Sequence, residues 1–316
     1  QIAGSWSSLE SPLTTVPPSQ PSSWHRTQRV LLLAMPSAGE MLLGMLVGLV
    51  NTYLVGHLGA ASLTAVGLGV QVSMAAMVLF SAVGTGATAV TARMVGAEDV
   101  KGANRVVAQS VLIAFLCGVV SSLGLFIFAE PAMVIMGATG ESLTQGVVYL
   151  RIICIVFPIS SMIFVGGACL RGAGDTRTPL LVMAVVNVLN IVVAWVLVEG
   201  IGPFPALGVA GAAYGSALSR FLGGLIVFAL LLRGRSGLRL RWRGLDREIM
   251  WRILRVGLPA SLDQLIFRFG SLVWIRIVAS LGTVAFAAHQ IVLNGESISF
   301  MPGWGFAVAA TALVGQ

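Results

Sequence analysis

Three carboxylates interrupt long apolar runs of this chain: Glu40, Asp263 and Glu296. A charge at membrane depth is costly, and by default it marks an ion or substrate path. Burial there favours the protonated acid, the property a proton-coupled carrier exploits. Glu296 lies in the middle of its run and has the stronger case for such a role. Glu40 and Asp263 each stand close to the cytoplasmic start of a run, where an acid can equally be held by the helix dipole or by a nearby arginine. Arg268 and Arg276 share one run and are candidates to neutralise Glu296 from a neighbouring helix.

A second set consists of neutral amides: Asn51, Gln71, Asn187, Asn190, Gln290 and Asn294. Asn187 and Asn190 are three residues apart and so share one helical face. Intramembrane amides either line a water-filled cavity or bond helix to helix, at about 0.6 to 2 kcal/mol each, and the sequence leaves both readings open. His57 and His289 have no second ligand at i+4 and read as packing or interfacial residues. Cys117, Cys154 and Cys169 all lie inside apolar runs without paired spacing, which argues for packing and against a metal cluster. No HExxH, GxSxG, Walker or GxGxxG context occurs, so an enzyme reading lacks a site. No cofactor is expected.

The elements that carry these residues follow from composition. Of 316 residues, 57% are hydrophobic and 10% charged, against about 25% charged in a soluble domain, and the mean hydropathy is +0.93. This is the profile of a polytopic membrane protein. A bilayer core of roughly 30 Å takes about 20 apolar residues per helix. Eight runs reach that length, at 30–55, 63–92, 106–128, 147–170, 180–198, 207–232, 253–279 and 284–314. They lack the alternation of barrel strands, so helices are expected. The Ser- and Pro-rich residues 1–27 read as a disordered tail.

The net charge of +7 does not indicate nucleic acid, because the basic residues fall in short loops and not among exposed aromatics. Fifteen of the 19 lie on one side of the expected spans, eight of them in 233–255, and the opposite loops carry Glu130, Glu141 and Glu199 instead. That asymmetry puts the N-terminus and the 233–255 linker in the cytoplasm. The expected partners are the lipid bilayer and a small-molecule substrate.

Sliding the sequence by 223 residues lays Pro36 on Pro259, Glu40 on Asp263, Leu58 and Gly59 on Leu281 and Gly282, and Ala65 on Ala288. After a four-residue gap, Gly84 and Gly86 meet Gly303 and Gly305. Self-similarity at one register marks an internal repeat. A repeating unit of six spans re-enters the membrane from the same side, which gives two parallel lobes, as in secondary transporters. The expected layout is a six-helix lobe at 28–232, a basic linker at 233–255 and the start of a second lobe at 256–316. About four further spans would then be needed to complete the second lobe.

Four stretches carry a family resemblance: TYLVGHLGAASLTAVGLG from Thr52, LRGAGDTRTP from Leu170, GVAGAAYGSALSR from Gly208 and AAHQIVLNGESISFMPGWGFAVAATALVGQ from Ala287. In this order they resemble the multidrug and toxic compound extrusion family, closest to its DinF-like bacterial branch. The resemblance implies an all-α integral membrane transporter of twelve helices in two lobes, of which about eight are present here. It also implies a monomeric antiporter of the bacterial inner membrane that exports drugs or organic cations in exchange for H⁺ or Na⁺. The family's acid on helix 1 falls at Asn51 and its acid on helix 5 at Ala194, both neutral, while Asn190 is kept. The glutamate that some members carry on helix 7 aligns with Phe267, one turn from Asp263. These departures move the expected ion coupling toward Asp263 and Glu296. A flippase for lipid-linked or polar lipid substrates, built on a related two-lobe plan, is the alternative.

Overall fold

The computed structural model describes residues 23–241 and 244–280, with isolated helical positions between 292 and 311 that include Glu296. The eighth expected span, with His289, Gln290 and Asn294, otherwise lies outside the described residues, as do the side chains of Arg268 and Arg276.

Helix follows helix. In chain order they are α1 (Ser23–Gly56), α2 (Ala60–Gly96), α3 (Val100–Ile127), α4 (Ala129–Ile135), α5 (Gly140–Ile155), α6 (Phe157–Gly172), α7 (Arg177–Glu199), α8 (Val209–Arg233) and α9 (Arg247–Ser280). No strand occurs among the described residues. In lipid the backbone must satisfy its own hydrogen bonds, and this sequence does so with helices alone. Five helices are long and apolar enough to cross a bilayer, and the α5–α6 pair adds a sixth as a broken span. The six spans expected before the linker are therefore present, and the chain is an integral membrane protein.

Two boundaries differ from the sequence reading. The helix that carries the first span already includes Ser23, so 23–27 is helix and not tail. The apolar run marks only the part of a helix that sits in lipid. The fourth span is not one rod: α5 and α6 meet at a 59° bend. Pro158, at the start of α6, has no N–H to continue the ladder of α5.

α1 and α9 each contain one proline. Pro36 stands four residues before Glu40, and Pro259 four before Asp263, so the repeat is visible in proline position. α9 is also the most polar of the long helices, carrying Arg255, Asp263, Arg268 and Arg276.

The main core joins α2, α3, α6, α7 and α8 through Val83, Val107, Val165, Val186 and Val227. It also takes in Ile249 and Ile253 of α9. The linker expected to run to 255 is therefore helical from Arg247, and its first two turns are built into the first lobe. Gly86 and Gly257 make this possible. A Cβ on Gly86 would lie 2.1 Å from the Ile253 carbonyl oxygen, and one on Gly257 would lie 1.9 Å from that of Ala82. Small residues that let helix backbones touch are the usual means of association in lipid, where burying apolar surface gains little. The outward faces of α1, α3, α7 and α9 carry exposed Leu46, Val120, Val188 and Ile266, which is the surface that lipid or another helix covers.

Candidate polar site in the first lobe

α7 places Asn187 and Asn190 on the face packed against α1 and α8. Both are buried, at 7% and 4% exposure. Asn51 on α1 donates from Nδ2 to Asn190 Oδ1 at 2.9 Å. Asn190 in turn donates from Nδ2 to Ser216 Oγ on α8, also at 2.9 Å. Three helices are thus joined by one relay of neutral groups. Two buried atoms beside it, Asn51 Oδ1 and Asn187 Nδ2, have no hydrogen-bond partner among the described residues. An acceptor and a donor left open in this way cost about 1 to 3 kcal/mol each unless something fills them, so they are places for water or for a polar group of a ligand.

One turn beyond Asn190, Ala194 is fully buried. Gly215 of α8 lies flush against it, since a Cβ there would come within 2.7 Å of the Ala194 backbone. At the position where the family resemblance leads one to look for an acid, helix packs on helix, and neither bond of the relay involves a titratable group.

The acids stand elsewhere. Glu40 is partly buried, and both of its carboxylate oxygens accept from Arg171 Nη1 at 3.2 Å. This pairing of α1 with α6 realises the arginine-partner reading of Glu40. Asp263 and Glu296 were expected to be buried, yet both are exposed; no described element covers Asp263 on α9. Its neighbour Gln264 accepts from Ser81 Oγ of α2 at 3.1 Å, so α9 turns its amide inward and its acid outward. Gln71 is exposed on α2 and takes no part in the relay. His57 bonds the Tyr53 carbonyl at 2.8 Å within its own helix, a local contact and not a ligand position. Among the described residues no cluster of three or more His, Cys, Asp or Glu could hold a metal.

The LRGAGDTRTP stretch has a mechanical role that its sequence did not disclose. Asp175, in the turn between α6 and α7, accepts from the Thr178 N–H at 2.9 Å and from the Thr178 hydroxyl at 2.6 Å. It also accepts from the Ser236 hydroxyl, and Arg235 Nε lies 3.9 Å away. Burial acts to raise the Asp175 pKa, but the bonds from Ser236 and Thr178, with the Arg235 charge, outweigh it and hold the carboxyl below its ordinary 3.8. The turn is thereby fastened to the segment that follows α8. The signal sequence reasoning missed was the run of short donors around Asp175; Ser216, one serine among many, offered none.

The MatE family model matches residues 36–196 and 259–316, segments that begin at Pro36 and Pro259, the two prolines of the internal repeat. A probable multidrug resistance protein NorM of Thermotoga maritima is 34% identical over 290 residues, which is 92% of this chain and 62% of that protein. The crystal structure of MATE in complex with MaD5 superposes with a TM-score of 0.84 at 29% identity, covering 91% of this chain and 65% of that one. The outward-facing conformation of a multidrug resistance MATE family transporter gives 0.82 at 29% identity, covering 90% and 63%. The chain thus spans less than two thirds of the length of each of these proteins.

Proposed function

Because the chain belongs to the MatE family, whose members are transporters and not enzymes, we propose that the natural protein is a secondary antiporter. It exports drugs, organic cations or other amphipathic small molecules by alternating access, in exchange for H⁺ or Na⁺. It sits in the bacterial inner membrane with its N-terminus in the cytoplasm, the orientation supported by the lysine and arginine bias of the loops.

The observation that carries this reading is the Asn51–Asn190–Ser216 relay, with an open acceptor and an open donor beside it. Buried amides that join three helices and are only partly satisfied are what a substrate site offers before it is filled. The relay holds no charge of its own. It binds and orients the polar part of a substrate, and the coupling ion is taken by the carboxylates of α9 and beyond, Asp263 and Glu296, with Glu40 held in its pair. A ligand drives such a cycle only through its different affinity for the two states. An acid reached from one side in one state and from the other in the next supplies that difference.

Asp263→Asn and Glu296→Gln, each made in the natural protein and reconstituted in vesicles, are expected to abolish gradient-driven efflux of a cationic dye while leaving dye binding in place. Normal efflux by both variants would overturn the assignment of ion coupling to these acids.

A further inference from the structure

A polar cavity lies apart from the relay, beside the segment that joins α8 to α9. It encloses about 550 Å³ between the start of α3 and the residues leading into α9. Lys101 and Arg105 line it on one side, Arg241 and Arg247 on the other, and Asp246 is the one acid among the described residues of its wall. Asp246 is already used: it accepts the Ile249 N–H at 3.2 Å, capping α9, and meets Arg105 at 3.5 Å. Lys101, Arg241 and Arg247 have no carboxylate partner among the described residues.

Two hydrogen bonds hold the described parts of the linker wall against α3. Gln109, which is 2% exposed, donates from Nε2 to the Gly244 carbonyl at 2.8 Å. Asn104 accepts from the Arg239 N–H at 2.6 Å. Both bonds tie the chain on either side of the cavity to α3.

Its surroundings distinguish a soluble anion from a lipid. Leu245, in the cavity wall, is 72% exposed, and Trp251 is 61% exposed. Trp251 follows Arg247 by four residues, so the two share one face of α9. Tryptophan gathers at the level of lipid headgroups, and two large apolar side chains left bare beside unpaired cations suit a phosphate that carries acyl chains. We propose that this cavity is a binding site for the headgroup of an acidic glycerophospholipid, with Lys101, Arg241 and Arg247 on the phosphate and Leu245 and Trp251 against the chains. The site is independent of the transport reading, and it locks the start of α9 to the first lobe whenever the lipid is bound.

Native mass spectrometry of the detergent-purified chain, titrated with phosphatidylglycerol, phosphatidylcholine or inorganic phosphate, tests this. Phosphatidylglycerol is expected to bind at least ten-fold more tightly than either of the others. Arg241→Gln, at an exposed position, is expected to weaken it about five-fold, the size of one basic residue at an anionic surface. The triple variant K101Q/R241Q/R247Q should weaken it on the order of 100-fold by the same reckoning. R93Q/R177Q/R233Q removes equal charge elsewhere on the same side and should leave the preference intact. Equal losses in the two triple variants would show diffuse attraction and overturn the site. Phosphate binding as tightly as the lipid would overturn the lipid assignment. Should the pocket triple fail to fold, an unchanged affinity in Arg241→Gln alone would overturn the proposal.

Discussion

At the scale of single residues, what stands out is where charge is absent and where it is paired. The relay through Asn190 is neutral from end to end, while Glu40, the carboxylate nearest to it along α1, is committed to Arg171. The pair is only partly buried, at 19% and 15% side-chain exposure, so its net worth is modest, but breaking one half leaves a charge without its partner. Arg171→Gln is expected to lower stability by about 1 to 3 kcal/mol, and Glu40→Gln added to it should restore part of that loss. A thermal-denaturation double-mutant cycle measures the difference, and additive losses would show that the two do not interact. The candidate residues themselves were legible in the sequence, because an amide or a carboxylate in an apolar run is conspicuous. Their partners were not. Whether Asn51 meets Asn190, or Asp263 meets anything, depends on the rotation of each helix about its axis, which apolar runs leave undetermined when nearly every face is apolar.

At the scale of elements, the decisive contacts are made by what is small. α9 docks on α2 where Gly257 touches Ala82 and Gly86 touches Ile253, and α8 lies on α7 where Gly211 and Gly215 meet Leu197 and Ala194. Gly257→Val cannot be accommodated without moving α9. It is expected to cost at least the 1 to 3 kcal/mol typical of overpacking, seen as a lowered Tm, whereas an unchanged Tm would mean that the two helices do not touch there. The turn before α7 makes a separate, pH-dependent contribution. The Asp175 pKa is lower folded than unfolded, so its stabilisation is complete above the ordinary 3.8 and fades as pH falls through the lowered folded value. Asp175→Asn is therefore expected to lower Tm at pH 7 and to converge with the parent protein in strong acid. A gap that persisted at the lowest pH would contradict this. The six spans before the linker were readable because hydrophobic length is a one-dimensional property. The helical 23–27 and the bend between α5 and α6 were not, since helix continues past the lipid and Pro158 could equally have left a gentle kink.

At the scale of the whole molecule, the repeat unites the observations. Two long helices, each with a proline four residues before an acid, and two MatE segments starting at those prolines, describe one design used twice. The two copies have nevertheless diverged in their chemistry. The first holds an uncharged relay and a spent carboxylate, and the second presents Asp263 and Glu296 exposed. Under the function proposed above, this amounts to a division of labour, in which the first lobe recognises substrate and the second responds to the ion. The measurement that tests this most directly is flux of a cationic dye into vesicles containing the natural protein, under an imposed H⁺ or Na⁺ gradient, in parallel with Asn190→Ala. The expected result is gradient-driven flux in the parent protein and, in Asn190→Ala, weakened dye affinity with an unaltered dependence on the ion. Absence of flux from the folded parent under either gradient, or a changed ion dependence with unchanged dye affinity in Asn190→Ala, would contradict it.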